Sequence, residues 1–381
     1  MKKLGIVLKI TERCNLNCTY CYFFNGLDDS YKNKPPRISF DTIDQLLRFL
    51  YLGIEELNIT HLIIGFHGGE PLLYGRENLS DLCDKFIATL SEKVNLKFTL
   101  QTNGLLINKK WIDFFEKYKI GVGVSIDGPK EYNDKHRVDH NGNGSYDKLV
   151  EKIRLLQHHG KKFGILSVIN PTIGGKIMYD FFTRELGINH FDILFPHLTH
   201  DSESEYDISE YGKYICDLFD AWVEDNNPNI RIRFFDSFLG QLFGKSRLIY
   251  GIGAVSVHSL PLITIRGDGD IGPVTGLMST DPNTVTNIGA NVFNTTLNEI
   301  LKNQIFQELV EAQTNMPQQC NECCWVNICG GGHIVDRFST KNRFDNPSTY
   351  CNALKDFYAH ITNYLILSGV SINKISKVLK I

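Results

Sequence analysis

The sequence predicts an α/β fold: a partial (β/α)6 TIM-like barrel followed by a small C-terminal module built to hold a metal cluster. Three observations predict it. Short β-branched runs alternate with helical patterns as far as about residue 195, a cysteine triad closes the first of those runs, and a second cysteine group lies near the C-terminus in a stretch of different texture.

Taken in order, the apolar runs at 5–10, 62–66, 97–102, 122–126, 164–169 and 191–195 read as strands buried on both faces. Helical patterns at 42–52, 79–90, 110–118, 146–158 and 176–186 lie between them. Six strands are too few to close an eight-stranded barrel, so an open form follows. Residues 200–250 read as a connecting region with an amphipathic helix at 206–224. Gly, Thr, Asn and Pro then dominate 251–300, around a strand-like run at 262–265, as in a hairpin-rich module. A helix over 297–313 leads to the second cysteine group, and the tail from Asn352 is again helical. The domain reading is therefore a barrel at 1–199, a helical connection at 200–250 and a cluster-bearing module at 251–381.

Composition narrows the partners. A formal net charge of −3 over 381 residues, with no basic arm, argues against nucleic acid. The start, MKKLGIVLKITERC, is interrupted at Lys9 and has no small-residue cleavage site, so it reads as a strand and not as a signal peptide. No apolar run approaches the roughly 20 residues of a bilayer span. A cytoplasmic location and no membrane partner follow. In a reducing compartment clustered thiols point to metal ligation or catalysis. Of ten cysteines, only Cys83 and Cys216 stand alone, in helical stretches that suit buried packing roles.

Cys14, Cys18 and Cys21 sit just past the first strand, where barrel enzymes place their chemistry. Three thiolates leave one iron of a 4Fe–4S cubane without a protein ligand, free for a small chelator. A structural zinc would want a fourth Cys or His nearby, which this loop lacks. The segment CNLNCTYC resembles the signature of the radical S-adenosylmethionine (SAM) superfamily, with Tyr20 at its aromatic position. The resemblance implies that SAM chelates the open iron and that its cleavage gives a 5′-deoxyadenosyl radical. Further matches follow at successive strand ends. Gly68-Gly69-Glu70-Pro71 resembles the family's GGEP motif, with Glu70 accepting from the SAM ammonium. Gln101 and Asn103 end the third strand, Ser125 and Asp127 the fourth, where they can bond ribose hydroxyls. Arg137 resembles the residue that holds the SAM carboxylate.

Cys320, Cys323, Cys329 and Cys351 supply four spaced thiolates, a set that suits structural zinc or a second 4Fe–4S cluster. Behind a radical SAM barrel the arrangement resembles the SPASM extension of peptide and protein maturases, which implies the cluster; Cys324 is a non-ligating neighbour. The full SPASM pattern has seven cysteines, and this chain departs from it. His333 stands where one is expected, after Cys329 and three glycines. The hairpin at 261–274 is flanked by His258 and ends on Val274. The cluster nearer the active site is therefore read as lost. His258 and His333 could bind a metal together, although structural or substrate-facing roles are the stronger expectation.

The segment from Cys329 through Arg337-Phe338-Ser339 and Phe344-Asp345-Asn346-Pro347-Ser348 to Cys351 resembles the corresponding part of maturases that form cyclophanes. It implies a ribosomally made precursor peptide as substrate, with an aromatic ring carbon joined to a β-carbon. The plainer reading is a loop folded between two cysteine ligands. Such an oxidation needs a proton acceptor, for which Asp268, Asp270, His258, His333 and Asp345 are candidates, and a flavodoxin- or ferredoxin-type electron donor. With the chain starting at the first strand, the leader would be recognised by the barrel edge, the connecting region or another protein. Thioether formation, epimerisation and formylglycine formation in sulfatases are the neighbouring reactions; a non-catalytic iron–sulfur or zinc redox protein is the rival of another class.

Overall fold

The computed structural model describes residues 2–243 and 261–380, so His258 lies outside the described residues. In chain order the strands are β1 (Lys2–Thr11), β2 (Ile59–Gly68), β3 (Asn95–Thr102), β4 (Gly121–Ser125), β5 (Phe163–Val168), β6 (His190–Leu194), β7 (Arg231–Ile232), β8 (Ile263–Ile265), β9 (Asp270–Gly272) and β10 (Ala290–Asn291). All six strands expected from the sequence are present. The chain divides into two compact units. The first holds the described residues of Met1–Ile126, Asn133–Phe163 and Val255–Val310; the second holds those of Asp127–Tyr132, Gly164–Ala254 and Glu311–Ile381.

In the first unit the strands run β10-β9-β8-β1-β2-β3-β4. β1 to β4 pair in parallel and β8 joins β1 in parallel, while β9 pairs antiparallel with both β8 and β10. Leu4, Ile6, Leu8 and Ile10 on β1 are all at most 1% exposed, each worth about 1.5–3 kcal/mol of burial. The helix Phe40–Leu57 packs Ile43, Leu46 and Leu50 inward. Its start is fixed by Ser39, whose hydroxyl accepts from Thr42 N, and its end by Asn58 in the left-handed region at φ 53°.

In the second unit β5, β6 and β7 pair in parallel. The expected helix at 176–186 is α-helical only over Gly175–Asp180. It then widens into a π turn at Phe181–Glu185, which accompanies complete burial of the adjacent Phe181 and Phe182. The connecting region contains the expected helix, Ile208–Asp225, and a second one, Arg233–Leu242, that the sequence reading did not contain.

Two further details correct the sequence reading. The single helix expected over 297–313 is two, Leu297–Lys302 and Gln304–Thr314, broken at Asn303. Asn303 is extended, with ψ 139°, and its side chain accepts from Ile305 N at 2.9 Å. An Asn that competes for the backbone in this way ends one helix and starts the next. Cys83 is fully buried as expected, whereas Cys216 is half-buried, at the border of its helix's apolar face. Among the described residues no helix is long and apolar enough to cross a membrane.

Candidate active site and cysteine-lined pocket

The cysteine triad sits in a loop that its neighbours hold by main-chain bonds. Asn17 N donates to Val138 O at 2.8 Å, Thr19 N to His136 O at 3.0 Å, and Cys21 N to Cys18 O at 3.0 Å. The end of β2 approaches the same loop closely. Gly69 N donates to Thr11 O and Glu70 N to Arg13 O, both at 2.9 Å. A β-carbon on Gly68 would come within 2.1 Å of Thr11 O, and one on Gly69 within 2.2 Å of Arg13 O. The two glycines are therefore a steric requirement of the approach.

Glu70 is 1% exposed and accepts from Thr102 Oγ1 at 2.7 Å, Asn103 N at 2.8 Å and Leu72 N at 3.0 Å. Burial pushes its carboxyl up to about 7 against those three donors. One acceptor position on the carboxylate remains for a further donor. Asn103 reaches the triad: its Nδ2 lies 2.8 Å from Asn15 Oδ1 and 3.7 Å from Cys14 Sγ, and Leu16 N donates to the same sulfur at 3.4 Å. Burial, then Glu70, then the other two cysteines raise the Cys14 thiol to about 12, partly offset by Leu16 N, so a cation must displace its proton if it is to ligate as thiolate. Gln101 Nε2 donates to Ser125 Oγ at 2.7 Å. The Arg137 guanidinium stands 5.7 Å from the Tyr20 ring centre, and His136 lies 5.6 Å from the same ring. In the second unit Asp127 is 3% exposed and accepts from Val168 N at 3.0 Å.

Sequence reasoning missed Lys9, treated there only as a break in an apolar run. It is fully buried on β1, its Nζ has no hydrogen-bond partner, and it lies 3.4 Å from the centre of the Phe23 ring. Burial lowers its pKa to about 7. His67 pairs with it in register on β2 and is held down to about 4 by burial and by Lys9. A lysine between Leu8 and Ile10, inside the apolar run of the strand, was the available signal.

In the second unit Cys320, Cys323, Cys329 and Cys351 all line one pocket, together with Trp325 and Tyr358; Cys324 does not line it. Burial pushes the Cys329 thiol up to about 11. Arg337, 1% exposed, braces the intervening loop by donating to Phe344 O, Asn346 O and Ala312 O. Asn346 Nδ2 returns bonds to Arg337 O at 2.8 Å, Ser339 Oγ and Arg343 O. Arg337, Ser339 and Asn346 thus have a folding role between two cysteines of the pocket.

The candidate proton acceptors do not form one group. Asp268 and Asp270, in the first unit, both bond Lys34 Nζ, the former at 2.5 Å. Burial would raise the Asp270 carboxyl, yet Lys34 and then Asn291 hold it below its ordinary value. His333, in the second unit, is kept neutral by burial and by His197, with its pKa near 3. Asp345 occupies a turn, its N–H bonded to Asn342 O.

Residues 8–177 match the radical SAM superfamily. The matched residues include the cysteine triad and the turn from Gly68 to Pro71. The whole chain is also similar to a cysteine-type anaerobic sulfatase-maturating enzyme of Clostridium perfringens, at 28% identity over 96% of this chain and 98% of that protein. A serine-type enzyme of Bacteroides thetaiotaomicron is 25% identical, over 96% of this chain and 91% of its own length. The solved structure of native anSMEcpe with bound AdoMet covers 96% of this chain and 99% of its own at TM-score 0.82 and 25% identity. The fold is accordingly the radical SAM α/β fold with a mostly parallel sheet.

Proposed function

We propose that this chain is a radical SAM/SPASM maturase that oxidises a ribosomally made peptide, joining an aromatic ring carbon to a β-carbon as a cyclophane. The observation that carries the reading is the pair of thiolate sets: three in a loop braced by Glu70 and Asn103, and four around one pocket. Both sets suit 4Fe–4S ligation. When bound, the first cluster with SAM would supply a hydrogen-abstracting radical, and the second an outlet for the remaining electron.

The protein's part is position and proton control. Cys14, Cys18 and Cys21 would ligate three irons, and hydrogen bonds from Leu16 N and Asn103 would stabilise the Cys14 thiolate. Glu70 would receive the SAM ammonium at its remaining acceptor position, with Gly68 and Gly69 admitting it. Arg137 would hold the carboxylate, Tyr20 the adenine and Ser125 the ribose, with Gln101 orienting Ser125. Cys320, Cys323, Cys329 and Cys351 would hold the auxiliary cluster in a SPASM-like module at 251–381. Forming a carbon–carbon bond from a peptide radical releases one proton and one further electron. Asp268 and Asp270 are engaged by Lys34, and His333 is held near pKa 3 by burial and by His197, which leaves Asp345 as the better acceptor. Similarity to sulfatase-maturating enzymes supports a protein or peptide substrate, and a small flavodoxin- or ferredoxin-type protein would provide electrons.

The same similarity favours a second reading, formylglycine formation in a sulfatase. Against it stand Val274 and His333, at positions where the SPASM pattern has cysteines. Co-expression with a small neighbouring open reading frame separates the two. A peptide lighter by two hydrogens and inert to aminooxy probes supports the cross-link. An aldehyde on a sulfatase Cys or Ser supports the second reading.

A further inference from the structure

We propose that His197, His333 and Asp336 form a binding site for one divalent first-row transition-metal ion, distinct from both cysteine sets. One ligand atom from each residue lies within 4.8 Å of the other two, and none of the three lines the four-cysteine pocket. Two imidazoles and a carboxylate make an N,N,O donor set suited to Zn2+, Fe2+ or Mn2+.

Three local features build the site. Asp336 is 4% exposed and its Oδ1 has no hydrogen-bond partner. A buried carboxylate oxygen with no donor is costly, and a cation supplies what it lacks. Leu198 N bonds the same side chain, so the turn that presents His197 also orients the carboxylate. His333 is delivered by Gly330, Gly331 and Gly332, at φ 60°, 80° and 86°. A β-carbon on Gly332 would come within 2.5 Å of the Ser348 side chain, so only glycine allows that path. The His197 and His333 ring centres are 5.6 Å apart, with their planes at 27°.

The site is closed on one side and open on the other. Asp336 is buried, His333 half-buried and His197 exposed. An ion there keeps coordination positions toward solvent, as sites that bind an exchangeable ligand do. The assignment rests on these three residues alone and is independent of the peptide reaction.

Mn2+ is a suitable probe because it prefers nitrogen and oxygen donors to thiolates. The cluster-loaded full chain would be titrated with Mn2+ at room temperature, following the six-line electron paramagnetic resonance signal of the free ion. One saturable site per chain is expected. It should weaken by more than roughly tenfold in His197→Gln and in Asp336→Asn, with iron and sulfide content unchanged. His197 is exposed, so its variant separates ligation from folding. Absence of a saturable site, or equal affinity in wild type and His197→Gln, overturns the assignment.

Discussion

Single residues carry the tightest constraints around the cysteine triad. Gly69 has no room for a side chain, because a β-carbon would meet Arg13 O at 2.2 Å. Gly69→Ala should therefore cost about 1–3 kcal/mol in urea unfolding and lower the iron retained by the triad. Lys9 offers a test through pH. Its folded pKa of about 7 lies below the ordinary 10.5, so folding favours the neutral amine. Stability from this group is present above about 10.5 and is lost as pH falls through 7. Urea midpoints should rise from pH 7 toward pH 10, and Lys9→Met should flatten that slope without loss of stability at pH 7. An unchanged slope in the variant would assign the pH dependence elsewhere. Much at this scale was legible beforehand: the cysteine spacings, the GGEP glycines and Asn103 are local in sequence, and the structure brings Asn103 to Cys14. Lys9 was not, because its meaning depends on Phe23 and on His67 of the neighbouring strand. Nor was the role of His197, whose partners come from the far end of the chain.

Elements show where pattern reading succeeds and where it stops. The six expected strands were legible because apolar β-branched runs have few other uses. The break at Asn303 was not, since hydrophobic periodicity continues across it and only the side-chain bond to Ile305 N reveals the cap. The second of those helices leads into the cysteine pocket through Arg337, whose guanidinium bonds Ala312 O near its end. Arg337→Lys replaces a planar fork, which reaches three carbonyls from Nε, Nη1 and Nη2, by one nitrogen at a single point. It should destabilise the module by about 2–4 kcal/mol, read as a lower unfolding temperature and as iron lost from the four-cysteine site in preference to the triad.

At the scale of the whole molecule, the proposed reaction needs both cysteine sets loaded, one to make the radical and one to take the remaining electron. Cys320→Ala should reduce iron from about eight to about four per chain while leaving reductive cleavage of SAM intact and abolishing peptide oxidation. The most direct measurement is an anaerobic reaction of the reconstituted protein with SAM, reductant and a neighbouring small peptide, read by mass spectrometry of both products. The expected products are 5′-deoxyadenosine and a peptide lighter by two hydrogens. Zinc in both cysteine sets, with no cleavage of SAM, would contradict the proposed reaction.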